Sequence, residues 1–531
     1  MHFRNFLRGP SDAQTFAAKF REAKRDPGDL RRLVSGLARQ LSVPYHWPET
    51  AQSRLEDWEN PEIPSGYTYL AQLVAHDCVF TSVPTGALSA AVGPARSRRS
   101  SLLRLETIYG HGPDSCPHAY APRGTNHLAR NQLALSELAL RSTLKGRYLS
   151  RDIARTGAFE PAAPLTSVQV ADPRNDVHAA LSQITTLFIS LHNKIASMIE
   201  DLLTADAFPS EDVRNYRVYF VSRAVCESIY RTIVRDDLLP RILHRAVVDH
   251  YGAPQVQFLD SQTLDALPLE FANAFRFGHA MVRPFYVFND FNRYGEDLVD
   301  MMLSTSAARP WRMPLDDTWM AQWSHFFEID GSNPNLSRRI GPEFSGGLFS
   351  GEVFGAIDET GSMGLGYRDL LNGAFVGTWS VAALADELRR CKPELASLSP
   401  LLVEDQERTA RIRSWLSRHR IANGLSEQDV DDIASDPPLL LYVLFEAADE
   451  MAGKRLGILG SILVAETLYK ALLDAAPSPR GPFEDACEIA FGKPDRAAAI
   501  EKCTPGITTM AGLISYVAED FELEETAMPF V

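Results

Sequence analysis

The sequence predicts a mainly α-helical protein built as one large unit, and three observations carry that expectation. Apolar residues recur at steps of three and four, as at Leu70, Leu73 and Val74, and again through Val177, Leu181, Ile184, Phe188, Leu191, Ile195 and Leu202. The 531 residues are 45% hydrophobic, enough for a large core, and no composition break divides them. Clusters of Pro, Gly, Ser and Ala punctuate the helical stretches, placing loops at 85–101, 157–167, 331–351 and 476–482.

Taken in order, Phe16–Arg25 and Leu30–Leu41 read as N-terminal helices. Pro61, Pro64 and Gly66 then make an irregular entry into a helix that begins at Gly66. Gln72 and His76 lie four apart and share one face of that helix, while Asp77 turns to another. Alone, such a histidine reads first as a buried side chain with a hydrogen-bond partner. The second informative segment starts at Ala171 with a Pro-containing turn. Asn175 or Asp176 is its N-cap candidate, Arg174 stands at its mouth, and a long core helix follows. The third, Leu267–Pro284, reads as an apolar helix that carries Arg276 and His279 and stops at Pro284. Further helices are expected at 318–327, 380–390, 406–418, 426–434, 439–451 and 461–473.

Composition excludes several classes of function. A net charge of -15 argues against nucleic-acid binding, and the Arg96-Ser-Arg-Arg99 cluster reads as a solvated loop. No apolar run approaches bilayer length and no secretory h-region follows Met1, so a cytoplasmic protein with no membrane span is expected. The six cysteines are far apart, without a Cys-x-x-Cys pair, which fits reduced thiols and gives no zinc or iron-sulfur signature. Cys78 falls off the Gln72/His76 face and reads as core. The pairs Gly457/Gly460 and Gly364/Gly366 lack the preceding strand that a nucleotide-binding loop needs.

Three short motifs in this order carry a family resemblance. Gly66-Tyr-Thr-Tyr-x-x-Gln72-x-x-x-His76-Asp77, Asp172-x-Arg174-Asn-Asp176 and Arg276-x-Gly-His279 resemble the distal helix, distal-arginine helix and proximal helix of the animal-type haem peroxidases. Stretches at 106–113, 230–239 and 438–466 resemble the bacterial branch, so that the match runs from about Asn60 to about Leu473. The resemblance implies a single large α-helical domain holding haem between distal and proximal helices. Residues 58–475 would form that body, 1–57 an N-terminal helical extension, and 476–531 a C-terminal segment packed on the same domain.

The resemblance also implies roles. Splitting a peroxide O–O bond needs a base that carries the proton from the inner to the outer oxygen, which a neutral His76 imidazole can do. A fixed cation must meet the charge growing on the leaving oxygen, and Arg174 fits that need. Gln72 would line the same pocket. His279 would be the axial ligand of the haem iron, with Asp369 behind it as hydrogen-bond partner. His192 matches a family position that looks structural.

Six positions depart from the family pattern. In Arg368-Asp-Leu-Leu-Asn-Gly373, Asp369 replaces the usual Asn and Asn372 the usual Arg, which leaves Arg276 as the better candidate for a haem propionate; a surface turn at Asp369 is the alternative. Ala75 and Val177 stand where relatives form ester bonds to haem, and His178 where some carry a sulfonium-forming Met, so haem b is expected to be held non-covalently. Arg104 stands at an acidic ligand of the family's calcium loop, so an Arg104–Asp77 ion pair is expected in place of calcium. A weakened calcium site on Glu106 and Asp77 is the alternative. The expected activity is oxidation of an organic substrate with hydrogen peroxide. Two others stay open: a diverged haem-binding or haem-free relative, and a cyclooxygenase-like dioxygenase, which would need Tyr where this chain has Arg276.

Overall fold

The computed structural model describes residues 27–43, 55–80, 102–121, 130–137, 151–156, 167–203, 208–254, 256, 258, 267–290, 295–305, 318–354, 364–376, 378–474 and 506–518. The expected helix at 16–25 and the expected loops at 85–101, 157–167 and 476–482 lie wholly or almost wholly outside these residues.

Helices dominate. The principal ones are α1 (Pro27–Leu41), α2 (Gly66–Cys78), α3 (Ala179–Leu202), α4 (Glu211–Ile233), α5 (Leu269–Ala274), α6 (Gly364–Val376), α7 (Leu439–Met451), α8 (Ile458–Asp474) and α9 (Met510–Ala518). Strands occur only as two-stranded pieces among the described residues. The pair that matters to the site is β1 (Glu59–Pro64) against β2 (Leu336–Arg338), antiparallel with a bulge. β1 occupies what the sequence presents as an irregular entry, because the ladder is closed by a partner almost three hundred residues away and not by local signals.

Long helix α3 is the axis of the core. Its apolar stripe of Leu181, Ile184, Phe188, Leu191 and Ile195 is almost fully buried, and α2, α4 and α9 all pack along it. Burial of that stripe, at roughly 25 cal/mol per Å² of apolar surface, is the main force that orders the helix. α2 runs beside α3 with its first turn locked. The Tyr67 hydroxyl lies 2.8 Å from both carboxylate oxygens of Asp237, whose Oδ2 also accepts from Met510 N. A Cβ at residue 66 would stand 2.4 Å from the Phe327 ring and 2.6 Å from the Phe326 carbonyl, so only glycine lets the helix start there.

Five expected helices agree with the structure to within about three residues at each end: 380–390, 406–418, 426–434, 439–451 and 461–473. Others need correction. Residues 318–327 form only a single 3-10 turn, Trp323–His325. Their backbone finds distant partners, with Gln183 bonding Trp319 O and Ala321 N, and Phe288 O accepting from Gln322 N. The apolar run there reflects aromatic packing on all sides. The stretch 331–351 is not a plain loop: it holds β2, a short strand paired with Ser42–Val43, and a 3-10 turn. The expected helix 267–284 is α5 followed by a 3-10 turn, Phe275–Met281.

Candidate functional site

Along α2 and the residue after it nearly every residue is buried except one stripe, Gln72, Ala75, His76 and Val79, where partial exposure follows helical spacing. α2 packs against the 3-10 turn Phe275–Met281, in which Arg276, Gly278 and His279 are likewise only partly covered. The two partly exposed histidine-bearing stretches thus lie on neighbouring elements, and each histidine is held through Nδ1.

His76 Nδ1 lies 3.1 Å from Asn175 Oδ1. Asn175 is fully buried, its Nδ2 donates to Thr107 O at 3.2 Å, and its Oδ1 accepts from Thr107 Oγ1 at 3.0 Å. This orients the amide so that the imidazole can only donate to it, which puts the His76 proton on Nδ1 and the basic lone pair on Nε2. Asn175 and Thr107 are partners of the His76 side that sequence reasoning missed. Asn175 entered there only as an N-cap candidate, and the pairing passes through space to a residue 68 positions away.

Arg174 differs from expectation. Its Nη2 donates to the His76 carbonyl at 2.8 Å and its Nη1 to the Val79 carbonyl at 2.7 Å, while Nε and Nη2 also meet the Asp172 carboxylate. The side chain therefore clamps the C-terminal end of α2, supplying a cation and donors where carbonyls are left over. Phe80 stacks on it at 4.6 Å. Of its N–H groups, all but one on Nη1 are engaged by these described contacts, so Arg174 is first a clamp on the end of α2.

The N-cap of α3 is neither Asn175 nor Asp176, as those residues have other work. Asp176 is buried on Arg155 through two 2.6 Å contacts, and burial pushes its carboxyl up to about 6 despite that cation. A 3-10 turn, Pro173–Asp176, intervenes, with Asp172 accepting from Arg174 N, and His178 caps α3 by accepting from Leu181 N at Nδ1. His178 Nε2 must then carry the proton, which it donates to Gln72 Oε1 at 3.1 Å. Burial, helped by the charge of His76, pushes His178 down to about 3, so it is neutral. That bond takes the Gln72 oxygen as acceptor on a partly exposed side chain. His192 is structural: Nε2 donates to Asn131 O at 2.9 Å, Nδ1 faces the Tyr109 hydroxyl at 3.0 Å, and burial lowers it to about 4.

On the other face, the 3-10 turn eclipses residues three apart, which aligns Arg276 with His279. Both reach the same carboxylate. His279 Nδ1 lies 2.6 Å from Asp369 Oδ2, and Arg276 Nη1 donates to Oδ1 at 2.6 Å, with Asn372 Oδ1 at 3.5 Å from Nη2. Asp369 is fully buried on α6, which rules out the surface turn held open as the alternative. Burial works to raise its carboxyl, but the charges and hydrogen bonds of His279 and Arg276 outweigh that and hold it below the usual carboxylate range. Because a carboxylate only accepts, His279 keeps its proton on Nδ1 and its lone pair on Nε2. α6 approaches this closely because residue 373 is glycine: a Cβ there would sit 2.6 Å from Asn273 Nδ2.

The Arg104–Asp77 ion pair does not form among the described residues. Arg104 is exposed, and the fully buried Asp77 carboxylate accepts instead from Leu105 N at 2.9 Å and Thr107 N at 3.3 Å. Backbone donors bind an anion at fixed geometry without the entropy of a long side chain, which is why the loop amides win. Among the described residues no three acidic, histidine or cysteine side chains converge as a metal cluster.

Two oriented histidines on neighbouring elements, one backed by a carboxylate, therefore make up the candidate site. Residues 108–328 match the family model of the animal haem peroxidases, a span that contains Arg174 and His279. Mouse myeloperoxidase is 26% identical over 165 residues, 31% of this chain, and mouse thyroid peroxidase 26% over 223 residues, 40% of it. These alignments cover 20% and 22% of the two relatives, so the chain matches about a fifth of their length. Among solved structures, peroxidase A of Dictyostelium discoideum superposes with a TM-score of 0.52 at 16% identity, covering 93% of this chain and 90% of that one. The fatty acid alpha-dioxygenase of Oryza sativa gives 0.55 at 10% identity, covering 91% and 77%. At such identities these structures speak for the fold alone. These findings support an animal-type haem peroxidase family member, the family-model match spanning residues 108–328, less than half of the chain.

Haem is implied by that family, and the residues present fit it. A Cβ at Gly278, next to His279, would meet no atom within 4 Å, so open space lies beside the candidate ligand.

Proposed function

We propose that the chain is a haem-dependent oxidoreductase that uses hydrogen peroxide to oxidise an organic substrate, with b-type haem bound non-covalently. The observation that carries this reading is the matched pair of histidines, each with its proton fixed on Nδ1, by Asn175 and by Asp369. Haem, when bound, would supply the redox centre. His279 Nε2 would hold it, and the Asp369 carboxylate would press electron density onto that imidazole, favouring the oxidised metal. Arg276 can serve one propionate only while shared with Asp369, and Asn372 adds no charge. On the other face His76 Nε2 would take a proton from the peroxide oxygen nearest the haem and return it to the departing one. The Gln72 amide would donate to that oxygen, and Arg174 would hold the end of α2 that places His76.

The dioxygenase alternative finds support in the likeness to the alpha-dioxygenases, but that likeness concerns the fold. In the cyclooxygenase manner it would require a tyrosine at residue 276, and Arg276 is there, bonded to Asp369. Soluble, cytoplasmic operation and the bacterial branch are further proposals; within the described residues, no helix is long and apolar enough to cross a membrane.

The test is spectroscopic. Full-length protein given haem should develop a Soret band that shifts on peroxide addition. His279→Ala should lose tight haem binding. His76→Ala should keep haem but slow the shift by about 10²- to 10⁴-fold. Full haem occupancy in His279→Ala, or an unslowed His76→Ala, would sink this assignment.

A further inference from the structure

The loop 102–109 is held in an unusual shape at the base of α2. Leu103 and Leu105 both have left-handed backbones, φ +57° and +51°, although neither is glycine and both side chains are fully buried. L-residues adopt that region only when their surroundings force it. Two groups do so here. The Asp77 carboxylate binds the Leu105 and Thr107 N–H groups, and the Arg231 Nε donates to the Leu103 carbonyl at 2.9 Å. An anion thus draws in the loop's amides and a cation draws in its carbonyl.

We propose that the Arg231 guanidinium is this chain's built-in cation at the place where the family resemblance puts calcium, joining the Leu103 carbonyl and Glu227 beside buried Asp77. Arg231 lies at the end of α4, is only 8% exposed, and reaches Glu227 Oε2 at 3.3 Å one turn back. Glu227 is also bound by Arg223 at 2.8 Å. Glu227 is met by Arg231 and Arg223, Asp77 acts on Arg231 electrostatically, and exposed Arg104 adds a third positive charge to the same neighbourhood. Burial and Arg104 make the Arg231 cation harder to keep, and Glu227 and Asp77 stabilise it. A peptide carbonyl plus acidic side chains is the ligand set of a calcium loop. Here one covalently tethered cation uses it, so a divalent ion would meet like charges at a filled place.

This assigns Arg231 a positioning role in the site. Thr107, the last residue of the pinned loop, bonds both Asn175 Oδ1 and, through its carbonyl, Asn175 Nδ2, and Asn175 receives the His76 proton. The cation sets the loop, the loop sets Asn175, and Asn175 sets the His76 tautomer.

The inference uses the family only to locate the calcium position, and its test needs neither haem nor peroxide, so it can fail without touching the proposed activity, and the reverse. Thermal unfolding of the full chain is followed with chelator, with calcium chloride and with millimolar guanidinium chloride. The wild-type Tm should respond to none of them. Arg231→Ala should lose several degrees, because buried Asp77 and Glu227 lose one of the cations that face them, and calcium or guanidinium should restore most of that loss. If Arg231→Ala does not fold, Arg231→Lys should melt between wild type and the range expected for the alanine variant and, keeping the charge, ignore calcium. Calcium recovered stoichiometrically from wild type, a chelator-induced fall in its Tm, an unchanged Tm in Arg231→Ala, a loss that neither calcium nor guanidinium reverses, or a calcium-dependent Arg231→Lys would each overturn the assignment.

Discussion

At the residue scale, the chemistry expected of the site depends on which imidazole nitrogen carries a proton, and two side chains with opposite electrical character decide it. Asp369 is a charged acceptor, so it holds the His279 proton and enriches the ring. Asn175 is a neutral acceptor, so it fixes the His76 proton without raising the basicity that a reversible proton carrier needs to keep moderate. Replacing Asn175 with Ala removes that acceptor and frees the ring to flip or change tautomer. Peroxide-driven spectral change should slow by at least about 10-fold, less than the 10²- to 10⁴-fold loss of a positioned acid/base itself, with haem content unchanged. An Asn175→Ala rate equal to wild type would show that the tautomer is set elsewhere. The histidines are legible in the sequence because each stands in a motif. Asn175 as tautomer-setter, Asp172 as partner of Arg174, and Arg231 are not, since their roles are made by contacts across 68 to 128 positions or by a turn geometry that no periodicity reports.

Among the elements, α2 and α3 are readable from apolar spacing, and α7 to the residue, because Pro438 bounds it and its buried run is unbroken. The start of α3 is misread because the short polar residues that suit an N-cap are all engaged elsewhere, leaving the cap to His178. That choice has a consequence in pH. Unfolded, the imidazole takes a proton as the pH falls through 6.5, whereas the folded ring resists until about 3. Between those values the unfolded chain binds the extra proton, so stability falls on acidification, by at most about 1.4 kcal/mol per pH unit for one histidine. His192 acts in the same sense down to about 4, and Asp176, raised to about 6, acts in the opposite sense over the upper part of that window. Only a comparison isolates one group. Urea unfolding of wild type and His178→Gln between about pH 7 and about pH 5 should therefore give a shallower acid loss in the variant, by about one proton's worth. Parallel curves would mean that His178 is not held neutral.

On the scale of the whole molecule, the proposed partition into an N-terminal extension, a body and a C-terminal segment turns on how the extension is attached. Its described part, α1, packs on α6, the helix that carries Asp369 and Asn372. Leu30, Leu33, Val34, Leu37, Ala38 and Leu41 are all buried on that side, whereas the polar tie, Arg32 to Asp429 at 2.8 and 3.0 Å, involves an arginine side chain that is 47% exposed. Magnitudes separate the two. Truncating a buried leucine costs about 2–5 kcal/mol, whereas a partly exposed ion pair is worth about 0–1 kcal/mol. Leu37→Ala should thus lower unfolding free energy several times more than Arg32→Ala. Because α1 backs the helix that orients His279, Leu37→Ala should also release haem faster, and Arg32→Ala should not. If instead Leu37→Ala lowered stability in a separate early transition and left haem release unchanged, α1 would be an appendage that melts by itself, and the first 57 residues would be a true extension and no part of the site's support.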